Sequence, residues 1–205
     1  MKKLTATFCL TIAVLLGSVG VSWSADFDKG KAAYKRGDYA TALLEWTPLA
    51  EQGNADAQFS LGSMYERGKG VPKDYKEAAK WYKLAADQGD ADAQFRLGLM
   101  YKNGEGVPED DKEAMKLFKL AAELGHSDAK LLIAAENGDK NAAFRLGGMY
   151  SGTLGGGDDF PEDRGEARRY WKIAAEQGHS GAQRIMNISV PWWKPWKLYG
   201  WWRFW

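Results

Sequence analysis

The chain has 205 residues, and its 28 lysines and arginines nearly balance its 27 aspartates and glutamates. Taking Lys2, Lys3 and the three cations of residues 191–205 from the 28 leaves 23 basic against 27 acidic side chains in the body of the chain. That body excludes a basic surface for nucleic acid, and the single cysteine excludes a fold held by intramolecular disulfides.

Residues 1–24 have the pattern of a secretory signal peptide, with a basic start, an apolar run over residues 8–16 and small residues at Ser22 and Ser24. The apolar run is shorter than the roughly 20 residues that span a bilayer, which disfavours an uncleaved anchor. We therefore expect cleavage after Ser24 and a mature protein that is periplasmic or secreted. Cys9 would leave with this segment, so no thiolate chemistry is expected.

Residues 25–54 contain the stretch AYKRGDYATALLEW, which resembles a tetratricopeptide-like helical hairpin. We expect this hairpin to cap the N-terminal end of the fold. Pro48 is expected to bend or restart its second helix, because proline cannot donate the hydrogen bond that a helix interior requires.

Three copies of one longer unit follow, at residues 55–90, 91–126 and 140–179. The first two are identical at 23 of 36 positions, and the third keeps the same frame with four extra residues in its loop. In each copy apolar and small residues recur every four positions, as in Ala57, Leu61 and Tyr65, which predicts a first helix. A glycine- and proline-containing loop then leads to a second helix. One such pair cannot cover its own apolar face, so the pairs are expected to stack.

An aspartate three residues before a glutamate marks the start of each second helix. The aspartate can accept from free N–H groups of the first turn, and the glutamate can reach back to the N–H of that aspartate. The pairs are Asp74 with Glu77, Asp110 with Glu113, and Asp163 with Glu166.

The combined pattern of A-x-x-x-L-G-x-x-Y, G-x-G-V-P-x-D and W-Y-x-x-A-A-x-x-G resembles the Sel1-like repeat, a relative of the tetratricopeptide repeat with a longer loop. The resemblance implies an all-α fold, a right-handed α-solenoid of stacked antiparallel helix pairs, and a role as a protein interaction scaffold. Relatives often belong to bacterial envelope, signalling or host-contact settings. Some secreted relatives carry a disulfide in each repeat, and this chain departs from them.

Residues 127–139 begin like a first helix and finish like a second. We expect a collapsed unit with one helix of about ten residues, which would shift the alternation of the stack and bend it or change its pitch. A miniature hairpin is the alternative. The insertion in the third copy has the sequence Gly155, Gly156, Gly157, Asp158 and Asp159, and is expected to be a flexible loop, since it has too few oxygen ligands for an EF-hand.

No catalytic, cofactor or metal site stands out. His126 and His179 follow helix-ending glycines, where the other copies have Asp90 and Asp139, so they are interpreted as turn or cap residues. The acidic residues fall at caps and on solvent faces, without a pair assignable to acid and base roles. The sequence therefore favours a protein that is not an enzyme and needs no cofactor.

Positions that vary between copies on one side of the first helix are the candidate partner-binding residues. Their spacing of i, i+3 and i+7 predicts one exposed stripe, and by the resemblance this stripe would lie on the concave surface. Ordinary drift on a solvated face is the alternative. The residues are Ser60, Ser63, Arg67, Arg96, Leu99, Asn103 and Arg145.

Residues 180–190 are expected to form a capping helix, and residues 191–205 a cationic, Trp-rich tail of irregular structure that is too short and too charged to span a membrane. Indole rings prefer the membrane–water boundary, and Lys and Arg prefer anionic headgroups. The tail residues expected to contact a membrane surface or a partner are Trp192, Trp193, Lys194, Trp196, Lys197, Trp201, Trp202, Arg203 and Trp205.

Three alternatives for the tail remain open: it folds back as a structural cap, it stacks on sugar rings, or it results from a changed reading frame. The sequence as a whole predicts a non-enzymatic, exported protein–protein interaction scaffold of the bacterial cell envelope. Its expected partners are proteins, with an anionic membrane surface or an envelope glycan as further candidates. A glycan- or peptidoglycan-associated accessory module is the alternative function.

Overall fold

The computed structural model describes residues 25–154 and 162–187, and within those ranges the chain forms ten α-helices and no strand. Predictions for the signal segment, the glycine-rich insertion, the end of the capping segment and the tail lie outside the described residues. The helices are α1 (Phe27–Lys35), α2 (Tyr39–Glu51), α3 (Ala55–Arg67), α4 (Tyr75–Asp87), α5 (Ala91–Asn103), α6 (Asp111–Glu123), α7 (Ser127–Glu136), α8 (Lys140–Tyr150), α9 (Arg164–Glu176) and α10 (Ser180–Asn187).

Each helix packs against the helix before it and the helix after it, so the core grows along the chain. Small residues face these contacts: Ala57, Ala78 and Ala93 are fully buried, and their short side chains let neighbouring helices approach closely. The large buried side chains of Leu61 and Tyr82 fill the space between the helices. The prediction of an all-helical solenoid of stacked helix pairs is confirmed.

The aspartate caps of the second helices are confirmed, but their glutamate partners behave differently from the prediction. The Asp74 side chain accepts from the N–H groups of Lys76 and Glu77. The N–H of Asp74 donates to the carbonyl of Tyr65 at 3.0 Å, so the last turn of α3 satisfies it instead of Glu77. The same bond recurs from Asp110 to Tyr101 and from Asp163 to Tyr150, and it ties the start of each second helix to the end of the first.

Pro48 does not restart the second helix of the N-terminal hairpin. Helix α2 continues through Pro48 to Glu51, and the carbonyl of Pro48 accepts from the N–H of Gln52 at 3.1 Å. The carbonyl left without a helical donor belongs to Leu44, a residue that is 68% exposed, so water can satisfy it.

The third copy of the repeat ends its first helix differently from the others. Helices α3 and α5 end at Gly68 and Gly104, whose φ angles of 65° and 68° lie in the left-handed region that glycine adopts without strain. Helix α8 ends at Ser151 with ordinary helical backbone, and the altered loop begins there. Residues 127–139 contain the single helix α7, ten residues long.

None of the helices in the described ranges has the length and apolar character needed to cross a membrane.

Candidate protein-binding groove

A groove of about 380 Å³ runs between the ends of the first helices and reaches the third repeat. Helix α5 forms its centre, the last turn of α3 and the first residues of α4 form one wall, and the end of α8 with the start of α9 forms the other. Its lining residues are Glu66, Arg67, Lys73, Tyr75, Arg96, Leu99, Met100, Lys102, Asn103, Glu105, Tyr150, Asp163 and Glu166.

The groove brings together four of the seven residues predicted to bind a partner: Arg67, Arg96, Leu99 and Asn103. The other three lie outside its lining. Ser60 and Ser63 are half-buried earlier in α3, and Arg145 is exposed on α8. Partner binding by all seven residues stays a prediction. The cavity brings together Arg67 from the first repeat and Arg96, Leu99 and Asn103 from the second.

The sequence predicted that Arg96 lies on an exposed stripe, but in the structure this residue is only 9% exposed. It is drawn inward because its Nη1 atom lies 3.7 Å from Oε1 of Glu66 on the preceding first helix. The hydroxyl of Tyr82 donates to Oε2 of the same carboxylate at 2.5 Å. Burial, helped by the charge of Glu66, raises the pKa of Tyr82 well above its ordinary value, so the phenol remains a donor. This cluster joins the first repeat to the second.

A second cluster joins the second repeat to the third. Nζ of Lys102, in the last turn of α5, lies 2.7 Å from Oε2 of Glu166 in the first turn of α9. The same ammonium group lies 5.7 Å from the ring centroids of both Tyr150 and Tyr170. A cation held near two aromatic faces and one carboxylate is favourably placed on electrostatic grounds.

Helix α7 takes part in this second cluster through its last residue. Glu136 receives a two-pronged contact from Arg169, with Nη2 2.9 Å from Oε1 and 3.0 Å from Oε2. The hydroxyl of Tyr170 donates to the same carboxylate at 2.9 Å. Burial, followed by the charge of Glu136, raises the pKa of Tyr170, which keeps this donor protonated.

The two junctions differ in which helices meet. Between the first two repeats, a first helix contacts the next first helix through Glu66 and Arg96. Between the second and third repeats, a first helix contacts a second helix through Lys102 and Glu166, with α7 intervening in the chain. The third repeat is therefore set differently against its neighbour. Ser60 and Arg145 occupy the repeat position of Arg96 in the other two repeats, and both lie outside the groove lining.

A smaller cavity of about 200 Å³ adjoins the groove and shares Lys102 with it. Its walls come from α6, α7 and α9, including Phe118, Leu132 and Arg169. Lys102 thus lies in the wall of both the groove and the smaller cavity. Its contacts with Glu166, Tyr150 and Tyr170 hold its side chain at the boundary between them.

Among the charged residues of the two clusters, the sequence marked only Arg96 as a candidate partner-binding residue and missed the others. The change from Glu66 to Lys102 at equivalent positions of the first helix was a usable signal, because a charge reversal next to variable residues indicates different neighbours. Glu166 and Glu136 gave no such signal. The first was assigned to a cap, and the second lies in a segment without a repeat partner.

The two histidines are helix caps, which confirms their interpretation. Nδ1 of His126 accepts from the N–H of Ala129 at 3.1 Å, and its ring stacks on Phe95 with centroids 4.3 Å apart. His179 makes the same bond to Ala182 at 3.2 Å. No group of three or more metal-ligating side chains forms within the part of the chain that the structure describes.

The groove is suited to recognition of a polypeptide. Most of its charged side chains are held by opposite charges or by N–H groups of the protein, and Leu99 and Met100 supply an apolar floor beside them. Such a surface offers fixed hydrogen-bonding groups and a patch for an apolar side chain, which is how protein interfaces combine specificity with burial.

The architecture is that of an all-helical repeat protein. A sequence model of the Sel1 repeat matches residues 55–90, 91–126 and 140–179, which is more than half of the chain. The chain belongs to the Sel1 repeat family. Repeats of this family generally mediate protein–protein interaction.

Individual relatives share parts of the chain. The Sel1 repeat protein from Oxalobacter formigenes is 30% identical, with a TM-score of 0.46 and coverage of 78% of this chain and 59% of that chain. A protective antigen present in uropathogenic Escherichia coli strains, which displays an SLR fold, is 29% identical, with a TM-score of 0.53 and coverage of 78% and 39%. Protein sel-1 homolog 2 of Rattus norvegicus is 44% identical over 57 residues, 28% of this chain and 8% of its own. The chain spans less than two thirds of each of these relatives.

Proposed function

We propose that this protein is an exported, non-enzymatic scaffold of the bacterial cell envelope that holds a protein partner in the groove. The observation that carries the proposal is the convergence of Arg67, Arg96, Leu99 and Asn103 on one cavity. These positions vary between repeats that otherwise keep their frame, and the solenoid places them side by side. A surface that varies on a fixed frame is what a specific binding module requires.

The location at the envelope is supported by the signal-like pattern of residues 1–24. A related protein with an SLR fold is a protective antigen present in uropathogenic Escherichia coli strains. The Trp-rich segment 191–205 supplies a second contact, to an anionic membrane surface or to the partner. Its indoles and cations suit the lipid interface, whereas stacking on envelope glycan is the alternative.

Site-directed photo-crosslinking tests the groove. A photoreactive amino acid at Asn103, an exposed residue of the lining, should capture a discrete protein from intact cells, which mass spectrometry then identifies. The matched control places the same group at Lys31, an exposed residue of α1 outside the lining. Equal capture from both positions would reject the groove as the binding site.

Two further assays separate the roles of the tail. Sedimentation with anionic vesicles compares the full mature chain with a chain ending at Val190, and equal sedimentation of both rejects a membrane role for the tail. Retention on purified peptidoglycan is compared before and after replacing Trp192, Trp196 and Trp201 by alanine. Unchanged retention rejects sugar stacking.

A further inference from the structure

The outward sides of the second helices carry a repeated arrangement of two lysines and one leucine. On α4 and α6 these residues follow a spacing of i, i+3 and i+4, which places them on one side of each helix. The opposite sides carry the buried residues, such as Tyr82 and Phe118. We call this surface the outer face, and its residues are Lys80, Lys83, Leu84, Lys116, Lys119 and Leu120.

Exposed apolar side chains are concentrated on this side of the fold. Leu84 is 47% exposed and Leu120 38%. Leu124, one turn beyond Leu120, is 56% exposed, and Leu44 occupies the position on α2 that Lys80 occupies on α4. Four of the five exposed large apolar side chains in the described residues therefore lie on or beside the outer face. A scatter of solvated leucines would not favour one side.

On the outward sides of α4 and α6 six lysines face four acids, Glu77, Asp87, Glu113 and Glu123, so the outer face has a small excess of positive charge. The lysines are the four named above together with Lys76 and Lys112. Lys80 lies 2.6 Å from Glu77, and Lys116 lies 3.0 Å from Glu113, so each of these ammonium groups has an acidic neighbour on its own helix. Lys83 and Lys119 form no ion pair with any residue that the structure describes. The exposed acids Asp87 and Glu123 lie in the last turn, one turn beyond the leucines. The centre of the face thus combines unpaired cations with leucine side chains.

We infer that the outer face lies against an anionic lipid bilayer. Lysine ammonium groups suit lipid phosphates, and leucines can enter the apolar layer beneath them while the lysine stems remain extended. Neither the groove nor the smaller cavity includes a residue of this face. A protein partner is held by matched pockets, whereas a fluid bilayer adapts to a raised row of side chains. Because the groove opens elsewhere, a membrane-bound molecule keeps its groove free for a partner.

This inference rests on the proposed location at the envelope, but the bilayer test does not depend on the groove. The mature full-length chain is sedimented with vesicles of phosphatidylcholine and phosphatidylglycerol, and with phosphatidylcholine alone. The face variant replaces Lys80, Lys83, Lys116 and Lys119 by glutamine. The matched control has the same net charge but replaces exposed lysines on α1, α7 and α8, namely Lys31, Lys35, Lys130 and Lys140.

The wild-type chain should bind the anionic vesicles, and the face variant should bind them about tenfold or more weakly, with the control close to wild type. Equal weakening of both variants overturns the inference, because net charge alone would then explain binding. If removing residues 191–205 abolishes vesicle binding and the face variant has no effect, the inference is also overturned, and the result supports membrane binding by the tail instead. If the wild-type chain binds no vesicle but is retained by immobilised poly-glutamate through these lysines, the face serves an acidic protein instead, and the inference is wrong.

Spin labels supply a measurement on an otherwise unaltered face. Because Cys9 lies in the signal segment, the mature chain accepts a single label at Leu84→Cys or, as the control, at Asn103→Cys in the groove. Anionic vesicles should shield the label at position 84, but not the label at position 103, from a water-soluble paramagnetic relaxant. Equal accessibility of both labels on bound protein overturns the inference.

Discussion

Gly62 of α3 lies directly against the ring of Tyr82 on α4, so that a Cβ atom at Gly62 would come within 2.7 Å of two ring carbons. The same contact joins Gly98 to Phe118 in the second repeat and Gly147 to Trp171 in the third. Gly30 and Trp46 form it in the N-terminal hairpin. In each of these helix pairs an aromatic ring packs directly against a glycine of the other helix. The aromatic residue differs between pairs, whereas the glycine is the same in all four.

Gly98→Ala should destabilise the protein although alanine favours helix. The added methyl would meet the Phe118 ring at 2.6 Å, and overpacking of this kind costs about 1–3 kcal/mol, more than the gain in helix propensity of about 1 kcal/mol. The free energy of unfolding is measured by urea denaturation. Gly165→Ala is the control, because the nearest atom to its methyl is a side-chain oxygen of Asp163 at 3.1 Å. Equal effects of the two substitutions would contradict this account of the closure.

Alkaline pH should unfold the protein through its buried tyrosines. Burial raises the pKa of Tyr82 and of Tyr170, so the folded state holds these protons more tightly than the unfolded chain, where tyrosine ionises near pH 10. Stability from this source is complete below about pH 10 and is lost as the pH rises beyond it.

Tyr82→Phe isolates this effect, because the variant keeps every lysine of the wild-type chain. The fall in the free energy of unfolding above about pH 10 should be shallower in the variant than in the wild type, as urea denaturation at a series of pH values would show. At neutral pH the variant should be less stable by about 1–2 kcal/mol, since Glu66 loses a hydrogen-bond donor. Identical alkaline slopes would mean that Tyr82 does not drive the transition.

The ion pair of Lys102 and Glu166 should couple the second repeat to the third. The two side chains are 19% and 27% exposed, so solvent screens them less than it screens a surface pair. A double-mutant cycle with Lys102→Met and Glu166→Gln should give a coupling of about 1 kcal/mol, which decreases in high salt. The exposed pair of Lys172 and Glu176, 3.8 Å apart, is the control and should couple by only about 0.3 kcal/mol. Equal coupling energies in both cycles would mean that the Lys102–Glu166 pair joins the repeats no more strongly than an ordinary surface ion pair.

The frame of the repeats was predictable from the sequence because it is local. The caps at Asp74, Asp110 and Asp163 need only a few neighbouring residues, and their spacing shows in every copy. The junctions between repeats depend on contacts across many residues. The prediction for Arg145 assumed that it has the same neighbours as Arg96 in the preceding repeat. The third repeat is set differently against its neighbour, so the two arginines are not equivalent.

The clusters that shape the groove were not predictable for the same reason. Lys102 and Glu166 are 64 residues apart, and neither is unusual for an exposed helix position. Their meeting depends on how α7 sets the third repeat, which no single repeat encodes. Sequence variation identified part of the groove lining, whereas the partly buried charge pairs beside it could be found only in the folded chain.

His126 should tolerate aspartate better than alanine, because a cap needs an acceptor for the N–H of Ala129. Asp90 fills this role at the same position of the preceding repeat, where it accepts from Ala93 at 2.8 Å. His126→Ala should cost about 1–2 kcal/mol from the lost cap and the lost stacking on Phe95. His126→Asp should cost about half of that, since the cap is kept while the stacking and the 3.5 Å contact of Nε2 with Asp92 are lost. Urea denaturation of the two variants decides between the contributions: equal losses would mean that the ring contact, and not the cap, holds this end of α7.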